Sequence, residues 1–301
     1  MAIGFVGDGV CIAHVVRNAN ALPAVESVVF SPGNELASQL EKLAKDVRAA
    51  AYHCTTLLGV GEYQLLSVDA PNVPPEELKV AIRWRLKDLL DFHVDDATID
   101  VLDVPVDKHA PVRNRSMFAV AARNQVIEQR QTLFADAKFP LSVIDIPEMA
   151  QRNISALLEP EGRGVAMLSF DAAGGLLTVT YSGELYLSRR IEVPLSQLQE
   201  GGEEQRTPYY DRITLELQRS LDHFDRQYHF ITMSKLFLAP LPDGSEALQK
   251  YLASNLYMPV EMLDLETVLD FSKTPELKSR DGQHRFFMTL GAALRHEEKV
   301  L

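Results

Sequence analysis

The chain has 301 residues, enough for one large domain or two of ordinary size, each able to bury a core. With 46% hydrophobic and 24% charged residues the composition is globular, and a formal net charge of −12 speaks against a nucleic-acid partner, whose phosphates need a basic surface. The two cysteines, Cys11 and Cys54, lie in apolar strand-like runs, the pattern of reduced core thiols. No apolar run approaches the ~20 residues that cross a bilayer, and no basic stretch leads into an apolar one at the N-terminus, so a cytoplasmic protein without membrane insertion is expected.

In chain order, Ile3 to Val6, a tight Gly7-Asp8-Gly9 turn and residues 11–17 read as a hairpin, with residues 25–30 as a third strand. Asn34 is a candidate cap for a helix to Ala50, whose buried face is Leu36, Leu40, Leu43, Ala44 and Val47. Residues 52–60 and 63–68 predict an antiparallel pair around Gly61-Glu62. Prolines between Pro71 and Pro75 then start a helix over residues 76–92, with Leu78, Ala81, Ile82, Leu86, Leu89 and Phe92 on one arc. Val80 and Trp84, four apart, form a second apolar patch off that arc, and Arg85 points into the arc itself. Trp84 is open to two readings, a ring in a subdomain seam or a docking aromatic; Arg85 is either a snorkelling side chain or a ligand contact. Strands over 98–106 and 113–122 flank a polar loop at 107–111. A helix over 123–137, a strand over 141–146 and a helix over 147–158 follow. Residues 159–164 are the clearest linker, which sets a lobe of residues 1–160, with an inserted subdomain over about 64–122, before a second lobe of residues 161–301.

The second half opens on the same design as the first. Residues 165–193 read as strand, turn at Gly174-Gly175, strand, turn at Ser182-Gly183, strand, which points to an internal duplication. A polar stretch at 194–206 precedes Thr207-Pro208, read as the cap of a long helix to Tyr228. A strand over 235–239, a turn over 240–244, a helix over 247–256, a strand over 259–263 and a closing helix over 286–295 complete the chain. Strands alternating with helices give an α/β layer protein with a cleft between duplicated lobes.

The chain has no GxxxxGK[ST] loop, no CxxC, no HExxH and no GxSxG elbow. His223 and His229, six apart on one helix, fall on different faces and share no metal. Asp95-Asp96 and Glu76-Glu77 read as solvated helix-end charges. No catalytic residue and no metal site is expected.

Residues 65–92 (LLSVDAPNVPPEELKVAIRWRLKDLLDF), 118–146 and 165–191, followed by EVPLSQLQ, LELQRSLDHF and FMTLGAALR, resemble in order and spacing the actin-like pilus-assembly proteins of the PilM type. The likeness is nearest to the MshI branch of mannose-sensitive haemagglutinin (MSHA) pilus systems and covers nearly the whole chain. It implies an actin-like, ribonuclease H-like two-lobed fold built from duplicated β-meander and helix units, similar also to the cytoplasmic domain of GspL-type secretion proteins. It further implies a cytoplasmic protein, peripheral to the inner membrane, that binds the N-terminal cytoplasmic tail of a PilN-type membrane protein and communicates with the pilus motor ATPases.

The departures from that family matter as much. Its first phosphate motif, Asp-Ile-Gly-Ser with a lysine after it, falls here on Val6, Gly7, Asp8 and Gly9, with Ala13 where lysine is expected. Its second, Asp-Ile-Gly, falls on Ser169, Phe170 and Asp171, shortly before Gly174, and its glycine-rich adenosine loop on Ala239 to Pro242. Carboxylates at Asp8 and Asp171 repel phosphate, and prolines at 240 and 242 remove amide donors. Glu216, Arg219 and Ser220 match the family's nucleotide-side helix or form a plain exposed helix face. The expectation is a vestigial cleft with no cofactor and a non-catalytic scaffold that docks its partner through Val80, Trp84 and Arg85. The alternative is an ATP-binding actin-like ATPase.

Overall fold

The computed structural model describes residues 1–18, 21–106, 115–242 and 246–296; the polar loop at 107–111 and Gly244 lie outside them. The first half runs β1 (Ala2–Val6), β2 (Gly9–Val16), β3 (Ala24–Pro32), α1 (Leu36–Asp46), β4 (Cys54–Leu57), β5 (Tyr63–Asp69), α2 (Leu78–Leu86), β6 (Ala97–Asp103), β7 (Ser116–Arg123), α3 (Asn124–Asp136), β8 (Leu141–Asp145) and α4 (Pro147–Ser155). The second runs β9 (Gly164–Asp171), β10 (Gly174–Tyr181), β11 (Glu184–Ile191), α5 (Leu195–Gln199), α6 (Glu203–Gln227), β12 (Met233–Leu238), α7 (Glu246–Asn255), β13 (Val260–Met262) and α8 (Arg280–Ala293). Two compact units divide them. One holds Met1–Leu36, Thr55–Leu57 and the chain from Asp145 onward; the other holds Ala37–Cys54 and Leu58–Ile144.

Within the first unit the same plan occurs twice. β1, β2 and β3 form an antiparallel meander, and β4 joins β1 in parallel through Ala2↔Thr55 and Ile3↔Thr56. β9, β10 and β11 form the second meander, with β12 parallel to β9 and β13 parallel to β12. The duplication expected from the glycine-marked turns is therefore present strand for strand. Ser182 (φ 52) and Gly183 (φ 74) both take positive φ, the two-residue turn whose twist matches its flanking strands.

α8 holds this unit together. Its Phe286, Phe287, Leu290 and Leu294 share one core with Cys11, Ala13 and Val25 of the first meander, Val165 and Met167 of the second, and Ile154 of α4. Helix and neighbours approach at glycine distance. A Cβ on Gly4 would lie 2.3 Å from Thr289 Oγ1, and one on Gly291 would lie 2.3 Å from the Ala150 carbonyl oxygen. The Asn153 side-chain amide donates to the Gly291 carbonyl at 2.9 Å across the same contact. Both cysteines are free and buried, as their apolar settings predict.

The second unit carries the antiparallel sheet β5-β7-β6. Ile82 and Leu86 of α2, both fully buried, pack with Val68, Val94, Met117, Ala119 and Ala121.

Helix boundaries differ from the sequence reading in several places: α1 stops at Asp46 and not at Ala50, with Leu36 exposed, α4 stops at Ser155, and three others each have a local reason. The helix expected over 76–92 ends at Leu86, because Arg83 donates to the carbonyls of Val94 (2.7 Å) and Ala97 (3.1 Å) and Arg123 stacks 4.3 Å from the Phe92 ring. Leu89, placed on the buried arc by periodicity, is 55% exposed as a result. α6 begins at Glu203 and not at Thr207-Pro208; the Gly202 amide donates to Gln205 Oε1 at 3.2 Å and Pro208 lies inside. α8 begins at Arg280, six residues before the expected start at 286, with Ser279 accepting from the Gly282 amide at 3.1 Å.

Candidate functional site

The turns β1–β2 and β9–β10 and the first half of α8 all belong to the first unit. In the first turn Val6 pairs with Gly9, leaving Gly7 and Asp8 at the tip. Gly9 is required there, since a Cβ would lie 2.1 Å from the Ser31 carbonyl oxygen, whereas one on Gly7 would meet nothing within 4 Å. The Asp8 carbonyl accepts from the Gly33 amide at 2.9 Å, so the tip is tied to the residue after β3. The Asp8 carboxylate pairs with Arg285 at 3.0 Å, and the Arg285 guanidinium stacks 3.9 Å from the Phe30 ring centre. A cation supplied by the chain itself thus answers the charge at this turn.

In the second turn the Asp171 carboxylate accepts from the amides of Ala173 (2.8 Å) and Gly174 (3.0 Å). These turn amides are the donors an anion would need, and an internal anion already holds them. Gly174 (φ 141) has no room for a side chain, because a Cβ would lie 2.5 Å from the Ile191 carbonyl oxygen.

Ser169 stands where the resemblance puts a metal-positioning carboxylate. Its hydroxyl donates at 2.6 Å to Gln151 Oε1, and the two Nε2 hydrogens of Gln151 are shared among the Met167 carbonyl (2.9 Å), the Leu176 carbonyl (3.1 Å) and Thr178 Oγ1 (2.9 Å). Gln151 is completely buried and its amide fully engaged.

Beside these turns, His284 Nδ1–H donates to the Pro240 carbonyl at 3.0 Å; the carbonyl only accepts, which fixes the tautomer. Burial is the main cause of the downward shift of the His284 pKa, and Arg285 adds to it. The Pro240 hydrogen bond, Asp281 and Asp171 act in the opposite direction. A histidine whose folded pKa is depressed stabilises the fold above its ordinary value of 6.5, and that contribution is lost as pH falls through the folded pKa. The melting temperature is therefore expected to fall as the pH is lowered below about 6.5, and the fall should be shallower in a His284→Gln variant. Parallel pH curves for the two proteins would refute this. Cys11 is pushed up to about 12, by burial first, with Asp8 raising and Arg285 lowering it, so its thiol is inert at neutral pH.

Glu216 and Arg219 lie on α6 in the same unit and pair with each other at 3.5 Å; neither is bonded to the two turns among the described residues. The Ser220 hydroxyl donates to the Glu216 carbonyl. In the second unit, Val80 and Trp84 are 58% and 72% exposed on α2, and Arg85 is exposed beside them.

The polar groups of the two turns are engaged within the chain. The turn amides are held by Asp171, the turn carboxylate by Arg285 and the serine by Gln151. Among the described residues no three His, Cys, Asp or Glu side chains are grouped to hold a metal. Phe30, Gln151, His284 and Arg285, which give the site this character, were not singled out by the sequence. The one usable signal was Ser279 followed by Asp281, a helix start that brings residues 284 and 285 into α8.

Neither a protein-family model nor a curated protein matches the chain. Solved structures do. The chain is similar over 97% of its length to 96% of a chain of the PilM-PilN type IV pilus biogenesis complex, with 19% identity and a TM-score of 0.73. It is also similar to a Bacteroides thetaiotaomicron protein of actin-like ATPase fold and unknown function, at 10% identity and a TM-score of 0.50, covering 92% of this chain and 95% of that one. The fold is actin-like, as the resemblance in the sequence implied. Among the described residues no helix is long and apolar enough to cross a membrane.

Proposed function

We propose that the protein is a non-catalytic, nucleotide-independent subunit of a type IV pilus assembly platform of the MSHA kind, holding the cytoplasmic tail of a PilN-type inner-membrane protein. The observation that carries this reading is the state of the two meander turns. Asp8 is closed by Arg285, Asp171 by its own turn amides and Ser169 by Gln151, so the groups that would meet phosphate and metal are already satisfied. Whole-length likeness to a chain of the PilM-PilN complex supports the class of partner. The protein then sits at the cytoplasmic face of the inner membrane through that partner, within reach of the pilus motor ATPases, and takes the tail on the α2 face that carries Val80, Trp84 and Arg85.

Titration with a synthetic PilN-type tail peptide, with and without Mg-ATP, tests the reading. Equal affinity under both conditions is expected. Binding that requires nucleotide, or no binding in either condition, would overturn it.

A further inference from the structure

The three-stranded sheet of the second unit ends in two edges, and its register fixes which backbone groups each edge presents. The Val104 amide donates to the Ser116 carbonyl at 3.4 Å, and the Ala70 amide to the Arg115 carbonyl at 2.6 Å. In an antiparallel ladder alternate residues turn both backbone groups toward the neighbouring strand. β7 therefore gives residues 116, 118, 120 and 122 to β6, and residues 115, 117, 119 and 121 to β5. That leaves Leu65, Ser67 and Asp69 of β5, and Ala97, Ile99, Val101 and Asp103 of β6, facing away from the sheet.

The two edges differ. On β6 the outward Ala97 carbonyl is taken by Arg83 at 3.1 Å, and Lys79 of α2 reaches Asp100 at 2.9 Å. Charges at Asp100 and Asp103 and a helix alongside are guards that keep an edge strand from pairing further. β5 shows no such guard between Tyr63 and Val68. Residues 63–68 (YQLLSV) carry no charge and no proline, and the pairing with β7 runs without a bulge from Tyr63 to Asp69. Ser67 and Asp69 are exposed, and among the described residues nothing hydrogen-bonds to the outward backbone groups of Leu65 and Ser67.

We propose that β5 is the interface of a two-fold dimer, in which β5 of one protomer pairs antiparallel with β5 of a second copy about Leu66. Leu65 then pairs with the partner's Ser67, and Ser67 with the partner's Leu65, two backbone hydrogen bonds for each pair. Asp69 falls opposite the partner's Tyr63, so no carboxylate faces another. Leu66 meets the partner's Leu66 at a position without hydrogen bonds, where side chains come closest. Leu66 already packs on the core of Val68, Ile82, Leu86 and Met117, and that core continues across the axis. A second copy fits because an uncharged, regular edge is matched by an uncharged, regular strand, and β5 is one. The two-fold axis makes that match self-complementary. The dimer goes beyond the platform reading and does not depend on it.

Sedimentation equilibrium of the full chain and of a Ser67→Pro variant tests it. The Ser67 amide points away from β7, so proline removes a donor from the dimer and none from the fold. The parent is expected to be dimeric at roughly 100 μM, and the variant, with an unchanged melting temperature, to associate roughly tenfold more weakly. Each chain carries a formal charge of −12, so added salt should tighten the parent's dimer. Hydrogen exchange read amide by amide needs no variant: Leu65 and Ser67 should slow from dilute to concentrated protein. A parent that stays monomeric, or a folded variant that dimerises as well as the parent, would overturn the inference. So would Leu65 and Ser67 amides whose exchange ignores protein concentration. Slowing that appears only with added PilN-type tail peptide would give this edge to the tail and overturn the dimer as well.

Discussion

Replacing Gly291 by alanine is expected to lower the stability of the first unit by about 3 kcal/mol, at the upper end of what overpacking a tight core costs. The added Cβ would lie 2.3 Å from the Ala150 carbonyl oxygen, 2.7 Å from its carbon and 3.2 Å from its Cα. These are backbone atoms of a helix, so no side chain can rotate away and α4 and α8 must separate. Separation stretches the Asn153 bond to the Gly291 carbonyl and loosens the core that Ile154 shares with Phe287 and Leu290. Urea unfolding followed by far-ultraviolet circular dichroism measures the loss; indole emission reports Trp84 in the other unit and is the wrong probe. Gly7→Ala is the control, because nothing lies within 4 Å of its Cβ position, and it should change stability by no more than about 0.5 kcal/mol. A Gly291→Ala protein as stable as the parent would mean that the helices are not in this contact.

Ser169→Asp, which returns a carboxylate to the place where the resemblance expects one, should destabilise the protein by about 3 kcal/mol and restore no nucleotide binding. Ser169 is 5% exposed and its hydroxyl donates to Gln151 Oε1. An aspartate there has no proton to donate and brings a buried charge against that oxygen. Turning the Gln151 amide to face the new carboxylate would take its Nε2 away from the Met167 and Leu176 carbonyls and from Thr178. Each arrangement leaves buried polar groups without partners, so Ser169 and Gln151 belong together. Thermal melts of the variant test this, and a protein that kept its stability and gained Mg-ATP binding would contradict it.

The two meanders were legible because alternating apolar residues and glycine-marked turns are local signals, and Gly174, Ser182 and Gly183 carry them without ambiguity. The first half of α8 was not, because Gly282 interrupts a run of polar residues from Arg280 to Arg285 that has no apolar period. Gly282 has its own reason to be there: a Cβ would lie 2.3 Å from the Glu276 carbonyl oxygen. The end of α2 was misplaced because tertiary partners, Arg83 on the carbonyls of Val94 and Ala97, override a helical pattern that continues in the sequence. Asp8, Ser169 and Asp171 could be recognised as departures from a phosphate site. The groups that satisfy Asp8 and Ser169 could not, since Arg285 meets Asp8 and Gln151 meets Ser169 only through the fold.

Calorimetric titration of the protein with Mg-ATP addresses the closed state of the turns most directly. No saturable binding tighter than about 1 mM is expected, equivalent to no more than about 4 kcal/mol of affinity. A dissociation constant of about 10 μM or below, roughly 7 kcal/mol, would mean that Arg285, Asp171 and Gln151 give way to nucleotide, and would contradict a nucleotide-independent platform subunit.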